Sequence, residues 1–400
     1  MVDPSPAPAP QTFATNERYA ALLAEAASIR GISLWQDAWK RLQRSWTAMF
    51  SLYFLLLLGL LAFSTPLLPL QSPIKIDLKT RKYQQPSFKS QTLGLREHRE
   101  QLAALDAQIA AASPEAREPL EKQRQRIELD SPVETLSYNA GPLTKAMIHV
   151  RVLLFGEYCL PSLMGTDNLG RDLLSRIFWG SRVSIIVALV AAFVSLLIGV
   201  TYGAVAGYLG GWVDNAMMRF VDVLYSIPFI FVVIYVITIL SDPAIKSQLD
   251  YFYINKIIIL YALIGAIYWL TMARVVRGQV ISLKTEQYIE AARTIGASRT
   301  RIVFRHLIPN VLGVVIVYLT LTIPSVMLFE AFLSFLGLGV DAPDVSWGIL
   351  VNDGVQNITP IRVQWWLVLF PGLAFSLTLF ALNFLGDGLR DALDPRLKHK

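Results

Sequence analysis

Residues able to do covalent chemistry are few in this chain, and they are scattered. The four histidines, His98, His149, His306 and His399, show no ligand spacing such as HExxH. Cys159 is the single cysteine, which removes a disulfide or a Cys-based metal site within one chain. No metal centre is expected, and no Gly-rich phosphate loop ending in Gly-Lys-Ser/Thr occurs. Glu330, in Phe329-Glu330-Ala331-Phe332, is the most conspicuous charge inside an apolar run. Such a charge costs about 2.5–3.5 kcal/mol on insertion scales. Lining a transport path and bonding to a neighbouring helix both fit it. An intramembrane hydrolase would need paired catalytic groups at one depth, and the apolar runs offer none.

The chemistry this chain does offer is recognition. Glu286 to Asn310, EQYIEAARTIGASRTRIVFRHLIPN, is a charged, helix-forming stretch between two apolar segments. Thr285 can cap a helix whose first turn carries Glu286 against the positive end of the dipole. Tyr288, Ala291, Ala292 and Ile295 follow at three- and four-residue steps and share a face that the alanines keep shallow. Gly296 suits a left-handed terminator, and Ser298 can start a second short helix ending before Pro309. Two short helices around a Gly elbow make a knob. It suits docking to a soluble protein, and an amphipathic loop lying on lipid is the other reading.

The elements that must carry this knob are membrane spans. Hydrophobic residues make up 54% of the chain and charged ones 16%, which places it in the membrane class. Six segments can cross a core of about 30 Å at roughly 1.5 Å per residue. They lie near Thr47–Leu68, Val183–Ala206, Met217–Leu240, Lys256–Met272, Leu312–Leu336 and Trp366–Leu385. The layout is a cytoplasmic tail and interfacial helix at 1–46, a first span at 47–68, and an extracytoplasmic insert at 69–182. A core of five spans at 183–388 follows, carrying the charged loop at 276–310, and a cytoplasmic tail at 389–400 ends the chain.

Positive charge in short connections sets the orientation. Lys40, Arg41 and Arg44, the stretch Arg274 to Arg305, and Arg390, Arg396, Lys398 and Lys400 all fall on one side, the cytoplasm. Both termini are expected there. The net charge of +6 thus reports topology, and no nucleic-acid partner is expected. Residues 1–30 lack the compact apolar region of a cleavable signal. Trp35, Trp39, Leu42 and Trp46 recur at helical spacing, with cations off that stripe, as in a helix lying in the interface. In the insert, Leu95–Ile109 and Glu115–Leu129 read as a helical hairpin turning at Ser113-Pro114. Gly199, Gly203 and Gly207 recur every fourth residue and let another helix approach closely, within this chain or across a subunit seam. Arg219 and Asp222 stand one turn apart and can pair, and Pro228 should kink its span.

Several of these stretches resemble one family. Glu290-Ala291-Ala292, then Gly296 and Pro309, resemble the EAA loop of ABC-transporter importer permeases, with His306 where an aliphatic residue is usual. Arg305-His306-Leu307-Ile308-Pro309-Asn310 is similar to the dipeptide/oligopeptide branch. So are Gly165-Thr166-Asp167-Asn168-Leu169-Gly170-Arg171-Asp172, Ser334 to Val340, Ser346-Trp347-Gly348 and Gly386 to Arg396. The resemblance implies an all-α polytopic membrane protein with six transmembrane helices, of the type I ABC importer permease kind, in the bacterial cytoplasmic (inner) membrane. It implies a second permease subunit forming a heterodimer, two ATPase subunits that bind ATP and Mg, and an extracytoplasmic solute-binding protein. This chain itself would hold no cofactor. Glu290 would supply polar docking contacts, Ala291 and Ala292 a close fit, Gly296 the elbow, and Arg293, Arg299 and Arg301 ion pairs. The cargo implied is dipeptides or oligopeptides, with nickel chelates or other small solutes as the alternative. A channel or secondary transporter would leave the charged loop without a partner.

Overall fold

The computed structural model describes residues 34–129, 131–137, 140–240, 242–251, 256–340, 344–358 and 363–393. The readings made on residues 1–33, and on the tail from Asp394 to Lys400, lie outside them. Among the described residues the regular elements are helices, apart from one pairing of two-residue strands, β1 (Gln91–Thr92) with β2 (Tyr158–Cys159), and an isolated bridge between Thr166 and Asp172.

Helix α1 (Leu34–Arg44) leads into α2 (Trp46–Ser64), where Ser45 caps the first turn by accepting from Ala48 N. The insert at 69–182 then forms α3 (Leu95–Ala111), α4 (Pro114–Leu129), α5 (Pro132–Leu136) and α6 (Pro142–Phe155). Helices α3 and α4 fold back on one another, with Leu105 buried and Arg124 Nε donating to Asp106 at 2.6 Å. Next come α7 (Leu173–Leu209), α8 (Gly211–Ser226), α9 (Phe229–Leu240), α10 (Pro243–Tyr251) and α11 (Lys256–Leu283). The short α12 (Gln287–Thr294), the long α13 (Arg299–Phe335), α14 (Trp347–Gln356) and α15 (Trp365–Leu393) complete the chain.

Among the described residues four helices, α2 with its 3₁₀ extension to Leu67, α7, α13 and α15, are each long and apolar enough to cross a membrane. The pair α8 and α9 makes a fifth span if the two count as one. They meet at 75°, so the kink expected at Pro228 in the span Met217–Leu240 is a full break between two helices. The cause is local: Pro228 forces Ile227 out of the helical region, to φ −84° and ψ 119°. The expected span Lys256–Met272 falls within α11, a helix of 28 residues that is not among these four or five. Six spans are thus expected, and four or five are found among the described residues.

Two apolar clusters hold the bundle. One joins Leu173, Ile177, Val187, Val326, Leu333, Trp347 and Trp366. The other joins Val200 and Ala204 of α7, Met272, Val276 and Val280 of α11, and Val311 and Val315 of α13. Helix α15 reaches into the stretch read as a tail at 389–400. It runs helically to Leu393, and its Ala392 packs on Ala38, Leu42 and Ala48. That contact also divides the expected aromatic stripe of α1. Leu42 turns inward to α15 while Trp39 and Trp46 stay exposed, and the side chain of Trp35 lies outside the described residues.

Candidate functional site

The knob is built on α12 and the first turns of α13. Glu286, not Thr285, occupies the N-cap of α12, with extended backbone (φ −71°, ψ 145°). The Thr285 hydroxyl instead donates back to Ser282 O at 3.0 Å. The expected single face divides in two. Ile289 and Ala292 are buried and join the cluster containing Ile302, Val303 and Leu307. Tyr288, Ala291 and Ile295, at steps of three and four residues, form an exposed stripe, with Ile295 85% exposed. Phe304 is also exposed, as are Glu290, Arg299 and Arg301. The stripe is apolar, exposed and rimmed by charged side chains.

Gly296 ends α12 with φ +84°, and Ala297 N donates to Ala292 O in a left-handed C-terminal turn. Ser298 then caps α13 through Arg301 N. The second helix does not stop before Pro309. It passes through a π turn at Ile302–Leu307, with Ile308 N bonded to Val303 O, and continues into the span. Pro309 explains the wider turn, because its ring crowds the carbonyl four residues back and it has no N–H to give. The knob is thereby welded to a membrane helix with no hinge residue between them.

Contacts that the sequence did not announce root the knob further. Arg277 of α11 grips Asp214 of α8 through Nε at 2.5 Å and Nη2 at 2.7 Å. Lys284 Nζ donates to Gly207 O at 3.0 Å, at the end of α7. Arg293 lies over the Tyr208 ring, 5.4 Å from its centre. Asp222 accepts from Arg274 at 2.8 Å rather than from Arg219, and Arg274 also stacks on Tyr225. An i, i+3 pair lost here to a tertiary one.

The Gly199-Gly203-Gly207 ribbon faces α11 of the same chain. A Cβ on Gly199 would lie 2.6 Å from Met272 Cβ, one on Gly207 2.8 Å from Arg277 O, and one on Gly203 would overlap the Ala273 carbonyl. The ribbon therefore seats the helix that delivers the knob.

At the other end of α7, Asp172 caps the helix by accepting from Ser175 N at 2.8 Å and Ser175 Oγ at 2.7 Å. Burial pushes the Asp172 carboxyl above its ordinary value, against the opposing bonds from Ser175. Asp167 gathers Arg171 and Arg176, each at 2.7 Å, and Arg176 reaches Asp353 at 3.3 Å. Backbone bonds from Asp77, Tyr83 and Ser87 to Leu169, Asp167 and Ser162 bind this loop to the insert.

Glu330 is 1% exposed. Its Oε1 accepts from Ser346 Oγ at 2.7 Å and Ser334 Oγ at 2.9 Å. The internal hydrogen bond, one of its two expected roles, is present. Trp347 is also fully buried, with Nε1 donating to Ile177 O at 2.9 Å.

A long-helix membrane bundle with a rigid, charged knob between spans defines a class of transport component. Residues 199–399 match the family described as "Binding-protein-dependent transport system inner membrane component", and the chain belongs to that family. Residues 33–86 match "N-terminal TM domain of oligopeptide transport permease C". The chain is 51% identical over 232 residues to the oligopeptide transport system permease protein OppC of Escherichia coli (strain K12), covering 58% of this chain and 72% of the relative. It is 44% identical over 261 residues to the dipeptide transport system permease protein DppC of Bacillus subtilis (strain 168), covering 64% and 77%. It is 38% identical over 241 residues to the glutathione transport system permease protein GsiD of Escherichia coli O6:K15:H31, covering 60% and 74%.

Proposed function

We propose that this chain is the membrane-spanning permease subunit of an ATP-driven importer of dipeptides or oligopeptides. The names of its relatives support a peptide cargo over a nickel chelate. The observation that carries the mechanism is the exposed stripe Tyr288-Ala291-Ile295 on a knob fused to α13. An ATPase subunit seated on that stripe moves the knob when its nucleotide sites close. Ile289, Ala292 and Leu307, locked into the same cluster as Val276 and Val311, pass the displacement to α11 and α13. Close-packed side chains transmit such a displacement with little loss.

In this reading ATP and Mg are held by two ATPase subunits, a second permease completes the path, and an extracytoplasmic binding protein delivers the cargo. Both termini of this chain face the cytoplasm. The test is ATPase stimulation in vesicles containing every subunit, against a panel of short peptides and nickel complexes. Stimulation by peptides with none by nickel complexes is the expected result. Stimulation by nickel complexes alone would overturn the cargo.

A further inference from the structure

The extracytoplasmic part of α7 carries a cation without a carboxylate. Arg182 Nη2 donates to Thr144 Oγ1 at 3.1 Å, and its guanidinium lies 5.1 Å from the centre of the Trp179 ring. No ion pair is formed by Arg182 among the described residues. Both residues line a recess of about 240 Å³, closed by Ile74, Thr135, Gly141 and Thr144. Asp344 also borders it and has a bonding partner of its own. The recess receives the start of α6, where Gly141 offers no side-chain cap and the first turn has no acidic residue. The partial positive charge of that helix end adds to the guanidinium. The Trp179 indole nitrogen is buried without a hydrogen-bond partner.

The depth of Arg182 is informative. The 37 residues of α7 extend about 55 Å, against a hydrocarbon core of about 30 Å. The helix overhangs the core, and its long uncharged, mostly apolar run begins at Val183, directly after Arg182. Arg and Trp at such a boundary sit at the level of lipid headgroups. From the rim of the recess an apolar stripe descends α7: Ile186, Leu189, Phe193 and Leu197 are 51%, 54%, 62% and 58% exposed. A cationic seat directly above an acyl-length apolar stripe has the chemistry of one ligand.

We infer that a phospholipid seats its phosphate on Arg182, Thr144 and the start of α6, and lays an acyl chain along Ile186 to Leu197. The recess is smaller than the roughly 300 Å³ at which pockets for drug-sized ligands begin. That favours a headgroup phosphate over a peptide. Arg is the side chain best matched to phosphate oxygens.

Native mass spectrometry of the assembled transporter, released from nanodiscs of phosphatidylglycerol and phosphatidylcholine, counts the lipids it retains. Arg182→Ala is expected to lower occupancy of one phospholipid by about tenfold, the usual effect of losing one charge-assisted contact. Ile186→Asp, which sets a negative charge in the path of the acyl chain, is expected to lower it by a similar factor. Arg182→Lys, which keeps the charge and the fold, is expected to fall between. Unchanged retention in both Arg182→Lys and Ile186→Asp overturns the inference. Displacement of the lipid by millimolar inorganic phosphate, with Ile186→Asp silent, assigns the seat to a free anion and overturns it also. Loss of the second permease in Arg182→Ala, with lipid retained, makes this face a subunit contact instead.

Discussion

Arg277 holds Asp214 with two parallel hydrogen bonds, Nε to Oδ1 and Nη2 to Oδ2, at 2.5 and 2.7 Å. The pair ties α11, which delivers the knob, to α8, which begins the bent span. Asp214 is only 6% exposed, so loss of Arg277 leaves a carboxylate with little water. Arg277→Ala is expected to cost about 1.5–3 kcal/mol of stability, the range for hydrogen bonds to charged groups. Arg277→Lys recovers only part, because an ammonium cannot reproduce the fork. A double-mutant cycle with Asp214→Asn, read by thermal unfolding in detergent, should give a coupling energy above about 0.5 kcal/mol. Additive losses would contradict the pairing.

Gly203 is the tightest point of the α7–α11 seam, where any side chain meets the Ala273 carbonyl. Gly203→Val is expected to destabilise the bundle by about 1–3 kcal/mol, as overpacking does. Gly278, with open space around it, should accept Ala at little cost and serves as the control. Expression and unfolding midpoints of the two variants check this.

Gly296 separates backbone strain from steric blockage. Its φ is +84°, yet nothing lies within 4 Å of a Cβ placed there. Gly296→Ala should therefore cost only the left-handed penalty of about 1–2 kcal/mol. Gly296→Asn should be milder, and Gly296→Pro should break the elbow altogether. Copurification of the ATPase with each variant is expected to fall in the order Asn, Ala, Pro. Full copurification with Gly296→Pro would remove the elbow from the docking surface.

Parts of this arrangement could be read from local chemistry alone. Asp172 as a cap, Gly296 as a left-handed terminator and Pro228 as a helix breaker each depend on one residue and its immediate neighbours. What failed depended on partners distant in sequence. Asp222 chose Arg274, 52 residues away, over Arg219. Tyr288 and Ala292 share a helical face by spacing, but burial of Ile289 rotates that face so that Ala292 points in and Tyr288 out. The π turn before Pro309 left no periodic trace, since it changes hydrogen-bond register and not hydrophobicity.

Asp172 gives a pH signature at the outer end of α7. Its carboxyl is raised by burial in the folded state, so the fold binds that proton more tightly than the unfolded chain does. Stability from this group is fullest below the ordinary carboxylate value, about 3.9, and declines as pH rises through the raised value. Asp172→Asn keeps an acceptor for Ser175 N and should flatten that decline. Asp172→Ala loses the cap and should cost about 0.5–2 kcal/mol at every pH. Unfolding midpoints from pH 4 to 7 distinguish the two, and identical slopes in wild type and Asp172→Asn would contradict the assignment.

The account turns on the exposed stripe of α12, and its single native cysteine, Cys159, is fully buried. Ile295→Cys therefore places one accessible thiol at the centre of the proposed contact. In membranes containing all subunits, a short bifunctional cross-linker is expected to join Ile295→Cys to the ATPase, with a yield that changes on nucleotide binding. Labelling of Ile295→Cys by lipid-soluble reagents, with no cross-link to the ATPase in any nucleotide state, would contradict it.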